Sequence, residues 1–285
     1  MSFLTIQDLD VRLRGSGQRL LRGVSLEVAQ GQVHGLVGES GAGKSMIGKA
    51  ILDVLPRSVE IAGGRITLGE TDLTALPAKA RRHELGQRTA LIPQDPLTAL
   101  NPARRIGGQI TDRLTRVLGW GAARADARAV ELLDEVQISD PARVMKSYPH
   151  ELSGGMRQRV LIAAAFAAEP ELIIADEPTT ALDVTVQKQI LKMIAAMQAA
   201  HNTTMLFVTH DLGVVARVCQ RVSVLFAGHV VEDADIHTLL SVPGHPYSQA
   251  LLSATPRYDD PRASLRPVPQ SVIDATRAEA EAHDV

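Results

Sequence analysis

Gly38-Glu39-Ser40-Gly41-Ala42-Gly43-Lys44-Ser45 decides how the rest of this chain is read. It fits G-x-x-x-x-G-K-[ST], a loop whose main-chain N–H groups cradle nucleotide phosphates. Before it, Val33-His34-Gly35-Leu36-Val37 is a short apolar run of strand type. After it, Ile47, Ala50, Ile51 and Val54 recur at i, i+3, i+4 and i+7, which predicts one helical face that stops by Pro56. The loop therefore joins a buried strand to a helix N-terminus, where orphan N–H groups and the positive end of the dipole favour phosphate. Gly41 and Gly43 let the backbone approach an anion with no Cβ between them. In this reading Gly38, Glu39, Ser40, Gly41, Ala42, Gly43, Lys44, Ser45 and Met46 hold a nucleoside triphosphate. Lys44 reaches its β- and γ-phosphates, and the Ser45 hydroxyl ligates Mg²⁺. At average residue usage the pattern arises by chance in roughly one per cent of chains this long, which sets aside a plain Gly-rich turn.

The composition sets bounds on the rest. With 285 residues, 45% hydrophobic and 22% charged, the chain has the make-up of an ordinary globular protein with a core needing no staples. A net charge of −2 leaves no basic footprint, which argues against nucleic acid as a partner. The single Cys219 excludes an internal disulfide and any multi-thiolate metal site, and reads as a small buried hydrophobe. Met1 to Asp8 carries no basic n-region and no apolar h-region, so no signal peptide is expected. No apolar run approaches the about 18–20 residues that span a bilayer. The expectation is a cytoplasmic chain, or one that meets a membrane only through partners.

Along the chain, Phe3 to Val28 reads as short strands with Leu4, Ile6 and Leu9, then Val24, Leu26 and Val28, as the apolar set. Gly63-Gly64 reads as a turn before an alternating Ile66 and Leu68. Thr89-Ala90-Leu91-Ile92-Pro93 is a brief apolar run ending at Gln94. From Pro96 to Ala168 the texture changes to helical patterns rich in Ala, Arg and Leu, read as a helical insertion. Six arginines from Arg104 to Arg128 are expected to form a solvated face of it. Leu172-Ile173-Ile174-Ala175 and Met205-Leu206-Phe207-Val208 are buried parallel-strand runs. Between them Val186, Ile190, Ile194 and Met197 mark a helix. Val222 to Phe226 and His229 to Val231 flank Ala227-Gly228 as a hairpin. The tail from about Val242 is Pro-rich and ends in the Ala/Glu run Ala278 to Ala282, expected to be a frayed helix or disordered. The fold class is α/β: a P-loop NTPase core of mostly parallel sheet, an N-terminal antiparallel part and an inserted helical subdomain. The expected boundaries are a core of 1–95 and 166–240, a helical subdomain of 96–165 and a tail of 241–285.

In an open parallel sheet ligands gather at the carboxyl ends of strands. Besides the phosphate loop, Gln94, Asp176-Glu177 and His210 each follow an apolar run. Asp176 has the Walker B arrangement, orienting Mg²⁺ and its waters, and Glu177 is placed to polarise a water for in-line attack. Gln94 bridges the metal and that water, and His210 hydrogen-bonds the γ-phosphate or the water. Such a site works by positioning and charge stabilisation, as phosphoryl transfer requires. The most specific stretch is Leu152-Ser153-Gly154-Gly155-Met156-Arg157-Gln158-Arg159. Ser153 and its glycines open a helix and form a second anion site. One nucleotide does not serve both sites within one chain, so the economical solution is a head-to-tail pair in which each chain caps the other's nucleotide.

Together these motifs resemble the nucleotide-binding subunit of an ABC transporter, over nearly the whole chain. The resemblance implies ATP and Mg²⁺ as cofactors. It makes Glu177 the catalytic base, His210 the switch histidine, and Ser153, Gly154 and Gly155 the signature that meets the partner's γ-phosphate. Thr180-Ala181-Leu182-Asp183 looks like the family's D-loop, with Asp183 at the dimer interface. Ala90 to Pro102, Tyr148-Pro149-His150-Glu151 and His245-Pro246-Tyr247 are similar to dipeptide, oligopeptide and nickel importers. The implied partners are a paralogous ATPase chain, two transmembrane permeases and, indirectly, an extracytoplasmic solute-binding protein, with the chain peripheral on the cytoplasmic side of the inner membrane. The stretch from Gln94 to Pro102, including Leu97 and Leu100, is expected to dock the permeases.

Three departures from the family pattern stand out. No aromatic lies between Asp10 and Leu21 to stack adenine, so either Arg12, Leu13 or Arg14 serves or adenine is held loosely. Met156 replaces the commoner Gln, and the tail lacks the cysteine cluster of many peptide-importer relatives. The rival reading is an accessory ATPase of a soluble enzyme complex, as in phosphonate breakdown. A poorly hydrolysing gate is disfavoured by the complete set of Lys44, Asp176, Glu177 and His210.

Overall fold

Alternating apolar residues build the first layer. In β1 (Ser2–Leu13) and β2 (Arg19–Ala29), Leu4, Ile6, Leu9 and Val11 and then Leu21, Val24, Leu26 and Val28 turn to one buried face, and the strands pair antiparallel. The structure, a computed structural model, describes residues 2–180, 182–254 and 267–282. By its internal contacts the chain divides into two compact units, Met1–Leu76 with Leu206–Val285, and Pro77–Met205.

In the first unit β3 (Val33–Val37), buried along its whole length, runs into the phosphate-loop stretch and α1 (Lys44–Ile51). β4 (Val59–Leu68) and β5 (Thr71–Asp72) complete a sheet of order β2-β1-β4-β5. Two expectations are corrected here. The helix predicted to carry Val54 ends at Ile51, because Asp53 turns to φ 56° and leaves Val54 55% exposed. Gly63-Gly64 is no turn: both residues lie inside β4, opposite the register shift of β1 between Gln7 and Asp10.

The second unit holds α2 (Ala78–Arg88), β6 (Thr89–Ile92), α3 (Pro96–Ala99), α4 (Ile106–Arg116), α5 (Ala122–Glu135) and α6 (Pro141–Lys146). A 3₁₀ turn at Pro149–Glu151, α7 (Gly154–Phe166), β7 (Leu172–Asp176) and α8 (Val184–His201) follow. β6 and β7 are parallel, in register from Thr89 opposite Leu172 to Ile92 opposite Ala175. α7 is the axis of the helical part: Val160 to Ala163 and Phe166 are buried as α3, α4, α5 and α8 pack around it. The arginines are not simply a solvated face. The Arg113 guanidinium donates to the Gly86 and Gln87 carbonyls, 3.0 Å each, closing the last turn of α2, and burial pulls its pKa below the usual value. Arg128 lies among Glu131, Glu135 and Glu169. Arg104 pairs with Asp112, which with the neighbouring Arg116 holds that carboxyl below its ordinary value.

The chain returns to the first unit through β8 (Thr204–Val208), which straddles the boundary, then α9 (Leu212–Val218), β9 (Arg221–Phe226) and β10 (His229–Asp235). Here the neighbouring strands are β10, β9, β3 and β8, with β3 and β9 parallel and β9 and β10 antiparallel. The β9–β10 hairpin turns on Ala227 and Gly228, at φ 47° and 87°, the positive angles a two-residue hairpin demands. α10 (Ile236–Ser241), α11 (Pro246–Ala254) and α12 (Gln270–Ala282) close the described chain. The Ala/Glu run is ordered as the end of α12, because Thr276 and Ala280 are buried and the helix packs on α11.

Leu100 is 3% exposed and Leu97 64%, so only Leu97 belongs to a surface and Leu100 is withdrawn as a docking residue. Leu100→Asp strands a carboxylate in an apolar site and is expected to destabilise by ~3 kcal/mol, whereas Leu97→Asp is expected to stay within ~0.5 kcal/mol. Urea midpoints of the two variants check this; equal midpoints would contradict the assignment.

Candidate functional site

In the first unit the phosphate-loop stretch is held from two sides. Lys44, 5% exposed, donates from Nζ to the Gly38 and Glu39 carbonyls, both at 2.8 Å. Gly43, at φ 105°, caps α1, and its carbonyl accepts from Met46 N at 3.0 Å and Ile47 N at 3.2 Å. On the outer side the β9–β10 hairpin supports the loop: Gly228 N donates to the Ala42 carbonyl at 3.0 Å. A Cβ on Gly38 would lie 2.1 Å from the Leu225 carbonyl, so the loop closes on that strand with only main chain between them. A buried ammonium and a helix N-terminus on one loop match the chemistry of a polyphosphate. Residues Glu39 and Ser40 are exposed, while Ser45 and Met46 are half-buried.

His210 belongs to the same unit. It is exposed just beyond β8, where Thr209 N donates to the Leu36 carbonyl at 3.1 Å, tying that strand end to the strand leading into the loop. Asp211 caps α9 by accepting from Gly213 N and Val214 N. Of the residues left for adenine, Arg12 and Arg14 each sit 2.9 Å from a carboxylate oxygen of Glu60.

Gln94, Ser153, Gly154, Gly155, Asp176, Glu177 and Asp183 all belong to the second unit. Because β6 and β7 lie side by side and parallel, Gln94 and Asp176-Glu177 leave the sheet at the same end. Gln94 Nε2 donates to Glu177 Oε2 at 3.2 Å, and the Thr180 hydroxyl donates to that oxygen at 2.9 Å. Glu177 has φ 47°, the left-handed region that a non-glycine residue rarely adopts. Asp53 and Ala227 adopt similar angles at turns, and at Glu177 the turn comes directly after β7. The Ser153 hydroxyl accepts from Met156 N at 3.3 Å and so caps α7, and Gly155 faces Val186 of α8. Asp183 caps α8, accepting from Thr185 N at 3.0 Å and Val186 N at 2.9 Å. Ala181 of the expected D-loop lies outside the described residues.

Two residues of this half were not singled out for a role in the sequence. Gln158 is buried and donates from Nε2 to the Pro178 carbonyl at 2.7 Å, linking α7 to the loop that begins at Glu177. Its signal was its place four residues after Gly154, on the inward face of a helix that is otherwise apolar there. Thr180 reads only as the start of the expected D-loop, and its bond to Glu177 depends on how the loop folds back.

The model of the ABC transporter family matches residues 21–180, and that of the oligopeptide/dipeptide transporter C-terminal region matches residues 231–280. A probable peptide ABC transporter ATP-binding protein, y4tR, of Sinorhizobium fredii is 43% identical over 277 residues, 96% of this chain and 83% of that protein. The chain belongs to the ABC transporter ATP-binding family. A probable D,D-dipeptide transport ATP-binding protein, DdpD, of Escherichia coli is 44% identical over 276 residues, 96% of this chain and 84% of its own length. The dimeric structure of the ATP-binding cassette MJ0796 in a post-hydrolysis state superposes with a TM-score of 0.72 at 23% identity, over 82% of this chain and 98% of that one, and shows the same fold. As an ABC ATPase the chain hydrolyses ATP and uses Mg²⁺. The first match spans the phosphate loop, Gln94, Ser153 and Asp176-Glu177; the second takes in His245-Pro246-Tyr247.

Gly38→Ala tests the closure of the loop on β9. The added Cβ meets a main-chain oxygen, so ATP binding is expected to weaken at least about tenfold and the thermal midpoint to fall. Titration with ATP and thermal melts read both; an unaltered Kd would remove the loop–hairpin contact as a determinant.

Proposed function

We propose that this chain is an ATPase subunit that powers import of a peptide-like or metal-chelate solute through an ABC transporter. The observation that carries this reading is the match of residues 231–280 to the oligopeptide/dipeptide transporter C-terminal region, which the ABC match over 21–180 does not reach. The peptide and dipeptide relatives over 96% of the chain support it. None of the observations favours an accessory ATPase of a soluble complex.

In this proposal residues 1–95 and 166–240 form the ATP-binding core, 96–165 the signature subdomain and 241–285 a C-terminal extension. The Gly38–Met46 loop binds the triphosphate, with Lys44 on its β- and γ-phosphates. Ser45, Gln94 and Asp176 hold Mg²⁺: all three offer oxygen donors, the hard ligands this ion prefers, and so few protein ligands leave room for phosphate and water. Glu177 takes a proton from the attacking water. The donors from Gln94 and Thr180 on one of its oxygens fix the direction of its carboxylate, which supports that role. His210 steadies the γ-phosphate. Ser153, Gly154 and Gly155 cap the ATP held by a second ATPase chain, a paralogue arranged head to tail, and Asp183 lies at that interface.

Two membrane permeases carry the solute delivered by an extracytoplasmic binding protein, and the chain sits peripherally on the cytoplasmic side of the inner membrane. Among the described residues no helix is long and apolar enough to cross a membrane. The exposed Leu97, between Gln94 and Pro102, meets the permeases.

Glu177→Gln is expected to lower ATP turnover at least about 100-fold while ATP still binds and an ATP-held dimer accumulates. Wild-type turnover would refute the assigned base. Leu97→Asp is expected to abolish uptake with basal ATPase retained, and affinity purification from membranes should bring down two permeases and a second ATPase. Recovery of soluble enzymes instead would overturn the transport reading.

A further inference from the structure

The stretch His245-Pro246-Tyr247 has no part in the ATP-binding machinery, yet Tyr247 is a fully buried side chain. Its ring packs on Phe226, with centroids 4.7 Å apart and planes at 58°. Phe226 is the last residue of β9, between Leu225, against which Gly38 closes, and the turn at Gly228, whose N–H holds Ala42. The tail thus braces the hairpin that braces the loop.

The phenol end goes further. Burial first, then the charge of the Glu39 carboxylate, push its pKa up to about 12, against a lowering by the Glu39 main-chain N–H. Glu39 of the loop is therefore the residue whose carboxylate and main-chain N–H act on that hydroxyl. Yet the hydroxyl is buried with no hydrogen-bond partner of normal geometry among the described residues. A buried unmet hydroxyl costs stability, and Phe would pack against Phe226 equally well. Packing does not account for a tyrosine here.

The position of that hydroxyl is fixed from behind. Tyr247 N donates to His245 Nδ1 at 3.1 Å, and Glu232 of β10 accepts from Gly244 N at 2.7 Å and His245 N at 3.0 Å. His245 Nε2 lies 3.2 Å from Glu279 of α12. On the loop side, Lys44 holds the Gly38 and Glu39 carbonyls.

We propose that Tyr247 is a positioning residue for ATP: its hydroxyl accepts the Glu39 main-chain N–H once Lys44 exchanges the loop carbonyls for phosphate. Through it the C-terminal region sets nucleotide affinity. This rests on the reading of Gly38–Ser45 as the ATP loop.

The test is titration of the full chain with ATP and Mg²⁺, thermal melts without nucleotide, and steady-state ATPase of the assembled transporter. Tyr247→Phe, the variant that keeps the ring, is expected to leave the nucleotide-free melting midpoint unchanged or raised. It should weaken ATP about three- to tenfold, as loss of one hydrogen bond does, and raise KM by the same factor with kcat within about twofold. Unchanged ATP affinity overturns the proposal. So does a nucleotide-free midpoint lowered by several degrees, which makes the hydroxyl a folding contact. Lys44→Ala is the companion: if it binds ATP like the wild type, the loop reading beneath the proposal fails, whereas loss of binding there with normal binding in Tyr247→Phe rejects this inference alone.

Discussion

A lysine ammonium held inside its own loop is the constraint on which this protein turns. Lys44 is nearly buried, and a buried charge is tolerable only where polar groups replace water. The Gly38 and Glu39 carbonyls do so, which obliges the chain to curl around the lysine rather than run straight into α1. The curl needs the positive φ of Gly38 and Gly43 and room for bare backbone against Leu225. The β9–β10 hairpin supplies that room, and the tail packs behind it through Tyr247 on Phe226. One loop is thereby shaped by segments almost two hundred residues further along the chain.

The second unit solves a different problem, the aim of a carboxylate. Glu177 follows a strand buried from Leu172 to Ala175, turns at once into a left-handed conformation, and receives two donors on one oxygen. Backbone strain at that position is sustained because the loop beyond it is tied down, by Gln158 on Pro178 and by Asp183 capping α8. The helix that opens at Ser153 and the loop that opens at Glu177 are consequently parts of one hydrogen-bonded unit.

Much of this was legible in residue order. Short-range patterns set by chain geometry survive translation into structure: the phosphate-loop stretch, the alternation in β1 and β2, the buried runs at Leu172 and Met205, and the Ala227-Gly228 hairpin. What failed were inferences needing knowledge of what covers a residue. Val54 kept helical spacing, but Asp53 had already left the helix. Leu100 and Leu97 are both leucines in one stretch, and only packing separates the buried one from the exposed one. Arg113 looked like surface charge, whereas its guanidinium serves the orphan carbonyls at the end of α2.

The sequence by itself determined the α/β class and offered residue types suited to phosphate, because those depend on periodicity and on chemistry fixed over a few neighbouring positions. Tertiary structure alone decided which donors meet Glu177, which leucine is inside, and that a tyrosine of the tail packs on the hairpin that holds the phosphate loop. Those outcomes arise from contacts between segments far apart in the chain, and no local spacing encodes which distant surface a side chain will meet.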